Sequence, residues 1–338
     1  MASPVAYLLY RLPESWLRRF SGQPAVKRLG RTLDAAAQFT LSQIPAAAED
    51  LDSLDPNALR QEYASGPNLG IRPPQPCVRQ EHEVQVADGT TIAVREYRPA
   101  QWQPEGFSGL YMHGGGWVIG DLQTHDSFCA YMAAKLNVRF FAVDYRRAPE
   151  HPFPIPLQDS HAVWNWVLER SPAERTMVAG DSAGGNLATA LCLQRIMDGT
   201  SLPVMQLLIY PAVDARMETA SIRHFGEGFL LTQQMMQWFW NCYLSRPDDR
   251  TNPLAAPALA DPELLAKMPP TQIVVAGFDP LFDEGAAYGA ALKKLGVRVL
   301  VHEYASLIHE FANMMAMPAA ARAIRHCLSE TRQMLASF

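Results

Sequence analysis

The chain has 338 residues, of which 48% are hydrophobic and 19% charged, so it is long and apolar enough to bury a substantial core. Its net charge of −5 gives no electrostatic basis for binding nucleic acid. Its five cysteines are odd in number and widely spaced, which argues against a disulfide framework or a zinc site and predicts a reducing, cytoplasmic compartment.

The N-terminal region, residues 1–75, is predicted to consist of helical segments interrupted by prolines. Near its start Trp16, Leu17 and Phe20 recur at helical spacing, with two arginines between them. Two interpretations stay open, a helix that packs on the rest of the protein and a helix that lies on a membrane surface. The apolar run is too short for a signal peptide or a membrane span, so no stable membrane insertion is expected. The interrupting prolines are Pro24, Pro45, Pro56 and Pro67.

Beyond residue 75 the pattern changes to strands and helices. Alternating runs on both sides of Asp88-Gly89 predict a β-hairpin. Six short apolar runs then alternate with helix-length stretches, which predicts a mostly parallel eight-stranded sheet with helices on both faces. The six runs lie at 108–112, 138–143, 176–179, 205–210, 272–276 and 297–301, and the clearest helices at 156–170, 183–198 and 284–295.

One segment, residues 211–268, interrupts this alternation because it contains no clear strand. Thr232 can cap a helix in its sequence GFLLTQQMMQWFWNCYL. That helix is apolar nearly all round, so it needs cover on more than one side. Two interpretations stay open: it is part of the core, or it lies between the main body and something else, such as the N-terminal helices or an apolar ligand. Its apolar side chains are Met235, Met236, Trp238, Phe239, Trp240 and Tyr243.

The decisive motif lies in TMVAGDSAGGNLA, at 176–188. It fits the pattern G-x-S-x-G around Ser182 and lies between a predicted strand and a predicted helix, as a nucleophile elbow requires. In that strained turn the positions two before and two after the serine, Gly180 and Gly184, must be nearly free of side chain. The following helix directs its amide hydrogens and positive dipole towards the exposed hydroxyl. Ser182 is therefore the candidate nucleophile.

A serine hydroxyl needs a base to take its proton, and a third group must orient that base. In sites built on such an elbow the chain order is serine, acid, histidine. Asp279 directly follows the predicted strand at 272–276, and His309 lies in the loop after the last predicted strand. Both therefore reach the carboxyl edge of the sheet together with Ser182, and the three are the predicted catalytic residues.

Each partner of the serine has rivals. Asp283 is the other candidate acid, but it stands where a helix N-cap is expected. Two histidines after the serine are interpreted as structural, since His302 lies inside a predicted strand and His326 on a terminal helix. The histidines that precede the serine do not fit the chain order; they are His125, His151 and His161.

A histidine and three glycines follow the predicted strand at 108–112, in GLYMHGGGWVIGD. Attack on a carbonyl creates an oxyanion, which needs preorganised N–H donors. Glycines let the backbone approach closely because they have no Cβ, and a loop of this HGGG type is one source of such donors. His113 is expected to anchor the loop. The predicted oxyanion-hole residues are Gly114, Gly115, Gly116 and Ala183.

Taken together, these motifs resemble those of the hormone-sensitive-lipase-like carboxylesterases, which have the α/β-hydrolase fold. The resemblance covers roughly residues 80 to 330. It implies an ester hydrolase that uses no cofactor or metal and acts mostly on short- to medium-chain esters, and it supports the same triad and donors. The matching stretches, in family order, are HGGGWVIGDLQTHD, DYRRAPEHPFP, GDSAGGNLA, LLIYPA, GFLLT, DPLFDEG and LIHEF.

The resemblance also implies a helical cap, and it makes a homodimer along the last strand an expectation. Five side chains are expected to line or border the substrate pocket: Trp117, Asp181, Phe229, Trp238 and Trp240. The chain is accordingly divided into the N-terminal helical part of the cap at 1–75, the first part of the hydrolase core at 76–210, the cap insert at 211–268 and the second part of the core at 269–338.

Two residues depart from the family pattern. Family members usually have glycine after the catalytic histidine, where this chain has Glu310, and commonly an apolar residue where it has Arg147. Glu310 either starts a helix or lies close enough to His309 to raise the pKa of the imidazole.

Other functions on the same scaffold remain alternatives. A non-catalytic ligand receptor of this type keeps the pocket but lacks the histidine, which is present here. An acyltransferase, a peptidase or an interfacial lipase uses the same acyl-enzyme chemistry.

Overall fold

The structure is a computed structural model that describes residues 4–44, 55–67 and 69–338. The described part of the N-terminal region contains four helices, as predicted, together with a small hairpin that the prolines did not predict. The hairpin turns at Leu29 and Gly30, whose φ angles of 50° and 75° suit a two-residue type I′ turn. The elements are α1 (Pro4–Leu9), α2 (Glu14–Phe20), β1 (Lys27–Arg28), β2 (Arg31–Thr32), α3 (Ala35–Gln43) and α4 (Pro56–Ser65).

Pro56 begins a helix instead of interrupting one. The Asp55 side chain accepts hydrogen bonds from the backbone N–H groups of Asn57 and Ala58, and proline at the first helical position loses no helical hydrogen bond. Pro45, another of the interrupting prolines, lies outside the described residues.

The predicted mostly parallel eight-stranded sheet is confirmed. Its spatial order is β10-β9-β8-β7-β5-β6-β4-β3, and only the β3–β4 and β4–β6 pairs are antiparallel. The hairpin predicted at Asp88-Gly89 joins β3 to β4. The strands are β3 (Cys77–Gln85), β4 (Thr91–Pro99), β5 (Ser108–Met112), β6 (Arg139–Val143), β7 (Thr176–Asp181), β8 (Gln206–Ile209), β9 (Thr271–Phe278) and β10 (Val299–Ile308).

Helices cover both faces of this sheet. In β5, Leu110 and Met112 face one buried cluster and Tyr111 faces the other, as alternation along a strand requires. Helices α6, α7, α9 and α11 contribute to the first cluster, and α3, α5 and α12 to the second. The remaining helices are α5 (Asp126–Leu136), α6 (Ile155–Leu168), α7 (Ala183–Met197), α8 (Ala220–Phe225), α9 (Gln233–Tyr243), α10 (Pro262–Leu265), α11 (Phe282–Lys294) and α12 (Pro318–Leu335).

The segment 211–268 contains α8, α9 and α10 and no strand, as expected. Helix α9 begins after Thr232, whose hydroxyl accepts from the backbone N–H of Met235 at 3.1 Å. Its aromatic face is covered by the residue that follows the three glycines, since the Trp117 ring stacks on Tyr243 with centroids 4.3 Å apart. This face of α9 is therefore covered by the core of the protein. Gln237 and Asn241 on the helix are exposed, so the prediction that it is apolar nearly all round and needs cover on more than one side is wrong.

Candidate active site

Ser182 lies between the end of β7 and the start of α7, in a strained backbone conformation with φ 53° and ψ −120°. The flanking glycines are required sterically. A Cβ on Gly180 would lie 2.2 Å from the carbonyl oxygen of Gly184, and one on Gly184 would lie 2.0 Å from that of Met112. The G-x-S-x-G spacing thus permits a turn that no other residue type at the two glycine positions could form without displacement.

The structure brings the three predicted catalytic side chains into one hydrogen-bonded chain. Nε2 of His309 lies 3.0 Å from Oγ of Ser182, and Nδ1 of His309 lies 2.7 Å from Oδ2 of Asp279. The second carboxylate oxygen of Asp279 accepts from the backbone N–H of Leu281 at 2.9 Å. All three side chains are buried, and each follows the carboxyl end of a different strand. The arrangement can transfer a proton from serine to histidine while the acid orients the imidazole.

The rival acid lies elsewhere. Asp283 is within the first turn of α11 and not at its N-cap position, which is Leu281, and its carboxylate accepts from the backbone N–H of Ser221 at 2.7 Å. The expected N-cap at Asp283 is therefore wrong, although the residue still does not contact His309. His302 and His326 pack against each other on β10 and α12, as their structural interpretation requires.

The electrostatic surroundings of His309 favour its protonated form. Burial lowers the pKa of the imidazole, but the charge and hydrogen bond of Asp279 and the charge of Glu310 outweigh this effect, so the pKa is raised. A base with a raised pKa takes the serine proton more readily and is protonated at a higher pH.

The glycine loop supplies fewer free donors than predicted. The N–H of Gly114 donates to Oδ1 of Asp181 at 2.8 Å, so the prediction of Gly114 as an oxyanion donor is wrong. Among the described residues, no hydrogen bond engages the N–H of Gly115, Gly116 or Ala183. Gly115 and Gly116 have φ angles of 110° and 57°, a region that favours glycine.

Asp181 supports this loop from beneath, which corrects its prediction as a pocket residue. Its buried carboxylate accepts from Tyr111 and Gly114 and lies 3.6 Å from Nε2 of His125. Burial raises the pKa of Asp181, but His125 and these two hydrogen bonds outweigh it, and the pKa is lowered. An ionised Asp181 therefore holds the first glycine of the loop in place.

His113 anchors the same loop, as expected. Its Nδ1 donates to the carbonyl oxygen of Gly114 at 2.8 Å, and its ring stacks on Tyr145 with centroids 4.2 Å apart. Burial and the nearby His125 lower the pKa of His113 to about 3, so its imidazole is neutral. Arg147 holds the far end of the loop, since Nη1 donates to the carbonyl oxygen of Gly120 at 2.6 Å.

The aromatic residues predicted for the pocket do not form one group. Phe229 packs on Phe225 and Phe278 in the cluster on the other face of the sheet, away from Trp238 and Trp240, and its place at the pocket stays a prediction. Trp240 is fully buried against Trp117, with ring centroids 4.3 Å apart, and these two rings act in packing.

Sequence reasoning missed Phe239 as a site residue. A Cβ on Gly116 would lie 2.2 Å from Cγ of Phe239, so this ring rests directly on the oxyanion loop. Trp238 packs edge to face with it at 5.3 Å. The HGGG motif does not indicate how α9 is rotated about its own axis. That rotation determines that Phe239, and not a neighbouring aromatic residue, contacts the glycine loop.

Helix α4 contacts the site from the N-terminal region. The hydroxyl of Tyr63 donates to Oε1 of Glu310, directly beside His309. Arg60 donates through Nε to the carbonyl oxygen of Val118 at 2.8 Å and through Nη2 to that of Ala148 at 2.8 Å. One helix therefore holds both the histidine loop and the segment that follows the glycines.

Within the described part of the chain, no group of three or more His, Cys, Asp or Glu side chains is placed to hold a metal ion.

Residues 109–313 match the family model described as the alpha/beta hydrolase fold. This chain belongs to the α/β-hydrolase family. The expected resemblance to hormone-sensitive-lipase-like carboxylesterases is confirmed by the relatives of this α/β hydrolase.

Two relatives of this α/β hydrolase are named ester hydrolases. The carboxylic ester hydrolase LipN of Mycobacterium tuberculosis is 40% identical over 237 residues, which span 67% of this chain but only 62% of LipN. The ethyl acetate hydrolase of Pseudomonas putida is 35% identical over 265 residues, 76% of this chain and 83% of that enzyme. The crystal structure of a thermostable esterase from Pseudomonas putida superimposes with a TM-score of 0.84 at 31% identity, covering 93% of this chain and 99% of that one.

Proposed function

We propose that this α/β hydrolase is a serine carboxylesterase that acts on short- to medium-chain esters through an acyl-enzyme. The observation that carries the proposal is the hydrogen-bonded chain from Ser182 through His309 to Asp279. It lies beside the backbone N–H groups of the glycine loop and Ala183, for which the described residues provide no other hydrogen-bond partner. The names of the relatives, carboxylic ester hydrolase and ethyl acetate hydrolase, support the same substrate class.

In the first half of the reaction, Nε2 of His309 accepts the hydroxyl proton of Ser182 as Oγ attacks the ester carbonyl. Asp279 holds the imidazole in the tautomer that has Nε2 free to accept, and stabilises its charged form. The carbonyl oxygen becomes an oxyanion and accepts hydrogen bonds from Gly115, Gly116 and Ala183. Removal of one such donor costs about 3 kcal/mol of transition-state stabilisation.

In the second half, protonated His309 donates its proton to the departing alcohol. The acyl group remains bound to Oγ of Ser182. Water then enters, His309 takes a proton from it, and the hydroxide attacks the acyl carbonyl. Collapse of the second oxyanion releases the carboxylic acid and returns the proton to Ser182.

The test is hydrolysis of p-nitrophenyl esters by Ser182→Ala and His309→Ala. We expect each variant to fold and to lose at least about 10³-fold in kcat. His326→Ala is the matched control, because this histidine lies on α12 away from the site, and it should retain activity. Turnover retained by Ser182→Ala would refute the proposed nucleophile.

Labelling by a fluorophosphonate distinguishes this enzyme from a ligand receptor on the same scaffold. An activated serine forms a covalent adduct, whereas a receptor without a working base does not. We expect the wild-type chain to be labelled at Ser182 and Ser182→Ala to remain unlabelled. An unlabelled wild-type chain would favour the receptor.

Two further predictions belong to this proposal. A homodimer along β10 is supported by the position of that strand at one end of the sheet. A cytoplasmic location is supported by the five cysteines, all of which are free thiols. No helix in the described ranges is long and apolar enough to cross a membrane.

A further inference from the structure

The surface of α1, α2 and the β1–β2 turn is unusually apolar for an exposed surface. Of the eleven large hydrophobic side chains that are exposed in the described parts of the chain, seven lie between residues 7 and 44. Leu8 is 67% exposed, Trp16 57% and Phe20 50%. The following exposed side chains on α1, on α2 and at the β1–β2 turn are together called the N-terminal apolar surface: Tyr7, Leu8, Leu9, Trp16, Phe20 and Leu29.

The part of the N-terminal apolar surface that lies on α2 is held in a defined orientation. On α2 the Leu17 side chain is buried, and Arg18 donates to the side chain of Gln38 at 2.9 Å. Trp16 and Phe20, one helical turn apart, therefore share an outward face, and their ring centroids are 6.1 Å apart. The aromatic pair is a fixed feature of the folded protein.

The same region is strongly basic. Residues 1–33 contain six Lys or Arg and one Glu, a net charge of +5, whereas the rest of the chain carries −10. In the described part of this region, the one ion pair joins Arg18 to Glu14 at 3.6 Å. Arg19 and Lys27 are exposed, and in the chain Arg19 directly precedes Phe20 and Lys27 is two residues from Leu29. The surface thus combines exposed aromatic rings with a net positive charge.

A second copy of the chain does not fit this surface. A symmetric contact would place the same +5 region against itself, which is electrostatically unfavourable. An asymmetric contact needs another apolar surface, but the other four exposed large hydrophobics of the described residues lie on separate elements: Val78, Met197, Val301 and Phe338. Exposed aromatic rings next to Arg and Lys match the interface of an anionic lipid bilayer.

We propose that the N-terminal apolar surface adsorbs this protein to anionic lipid surfaces, with Trp16 and Phe20 in the interface and the basic side chains against the headgroups. Adsorption of this kind is peripheral, because the apolar rings reach only the boundary between headgroups and acyl chains. It is independent of the proposed ester hydrolysis, since none of these residues contacts the candidate active site.

The test is co-sedimentation of the full chain with vesicles of phosphatidylcholine alone and of phosphatidylcholine mixed with phosphatidylglycerol. Ser182→Ala is used throughout, so that hydrolysis of lipid esters cannot alter the vesicles. We expect binding to the mixed vesicles that weakens as salt is raised. Trp16→Ser/Phe20→Ser and Arg19→Glu/Lys27→Glu should each lower the partition coefficient at least tenfold.

The matched control is Met197→Ser/Phe338→Ser, which removes two exposed apolar side chains elsewhere and should bind as before. In an otherwise wild-type chain, Trp16→Ser/Phe20→Ser should retain hydrolysis of a soluble ester, which shows that it folds. Absence of binding to the mixed vesicles, or equal binding by all variants, would overturn the proposal. The proposal would also be overturned if the parent chain formed a dimer and bound no vesicles, while Trp16→Ser/Phe20→Ser was a monomer.

Discussion

At position 310 the backbone is left-handed, with φ 64°, a conformation that costs most residues about 1–2 kcal/mol relative to glycine. This explains why glycine suits the position after the histidine. Glutamate at this position destabilises the folded backbone relative to glycine. Glu310 has no capping hydrogen bond to the short 3₁₀ helix that follows; its carboxylate instead accepts from Tyr63. Of the two hypotheses for Glu310, the effect on His309 therefore has the better support.

Replacing Glu310 should change the pH dependence of catalysis. The Glu310 charge contributes to the raised pKa of His309, and catalysis needs this histidine neutral. Glu310→Gln and Glu310→Gly should therefore shift the acidic limb of the kcat/KM profile to lower pH.

Glu303→Gln is the control for Glu310, because it removes a carboxylate from an exposed position on β10. It should leave the acidic limb in place. An unmoved limb in Glu310→Gln would contradict an electrostatic role for Glu310.

The glycine loop shows what a local motif can and cannot predict. HGGG indicates a loop with exposed amides, but the acceptor that occupies the Gly114 N–H belongs to Asp181, 67 residues further along the chain. Gly114 is therefore not one of the free donors, and the other three donors stay a prediction. The same contact gives Asp181 its role. The G-x-S-x-G motif places this residue next to the nucleophile, but its carboxylate points beneath the glycine loop.

At the scale of elements, α4 and α9 contact the active site. Helix α4 reaches it through Arg60 and Tyr63, and α9 through Phe239. Helix α4 lies in the N-terminal region and α9 in the segment 211–268, whereas the three catalytic residues follow strands of the sheet. Changes in these two helices can therefore alter specificity without altering the triad.

Substitutions in α9 should separate specificity from packing. Phe239→Ala and Trp238→Ala should change the ratio of rates on short- and medium-chain esters, because Phe239 rests on Gly116 and Trp238 packs on Phe239. Trp240→Ala should leave this ratio unchanged and lower the free energy of unfolding by about 3–5 kcal/mol, since its ring is fully buried.

Rates on p-nitrophenyl esters of increasing acyl length, with urea unfolding of the same variants, measure both effects. A chain-length profile that is identical in wild type, Phe239→Ala and Trp238→Ala would mean that these rings only pack.

At the scale of the whole molecule, one buried carboxyl joins the insert to the core. Glu284, on α11, accepts from the backbone N–H groups of Val213 and Asp214 at 2.7 and 3.2 Å. Burial raises the pKa of Glu284 well above its ordinary value of 4.5, and the two hydrogen bonds only partly oppose this. The folded protein therefore retains a proton that the unfolded chain releases.

This proton makes the wild-type protein less stable as pH rises above 4.5, because the unfolded state then binds fewer protons than the folded state. Glu284→Gln cannot ionise and keeps an acceptor for both N–H groups. Its stability relative to wild type should increase as pH rises above 4.5 and should be nearly independent of pH below that value.

Glu284→Ala is the contrasting variant. It leaves two buried N–H groups without their acceptor and should cost about 1–3 kcal/mol for each. Urea unfolding across pH measures both variants. A difference between Glu284→Gln and wild type that does not change with pH would show that folding does not raise the pKa of Glu284.

The sequence by itself determined the parts that depend on local sterics and on chain order. The alternation of strands and helices predicted the eight-stranded sheet, and G-x-S-x-G between β7 and α7 predicted the elbow because only glycine fits at 180 and 184. Asp279 and His309 could be placed at one edge of the sheet because parallel strands all end there.

Only the tertiary structure decided which groups meet across long separations in the chain. Tyr63 and Glu310 are 247 residues apart, and Asp181 and Gly114 are 67 apart. Whether Trp238, Phe239 or Trp240 faces the site depends on how α9 is rotated against the glycine loop. Hydrophobic periodicity turns Gln237 and Asn241 towards solvent, but it does not say which of three consecutive aromatic residues faces the loop, because packing against the core selects it.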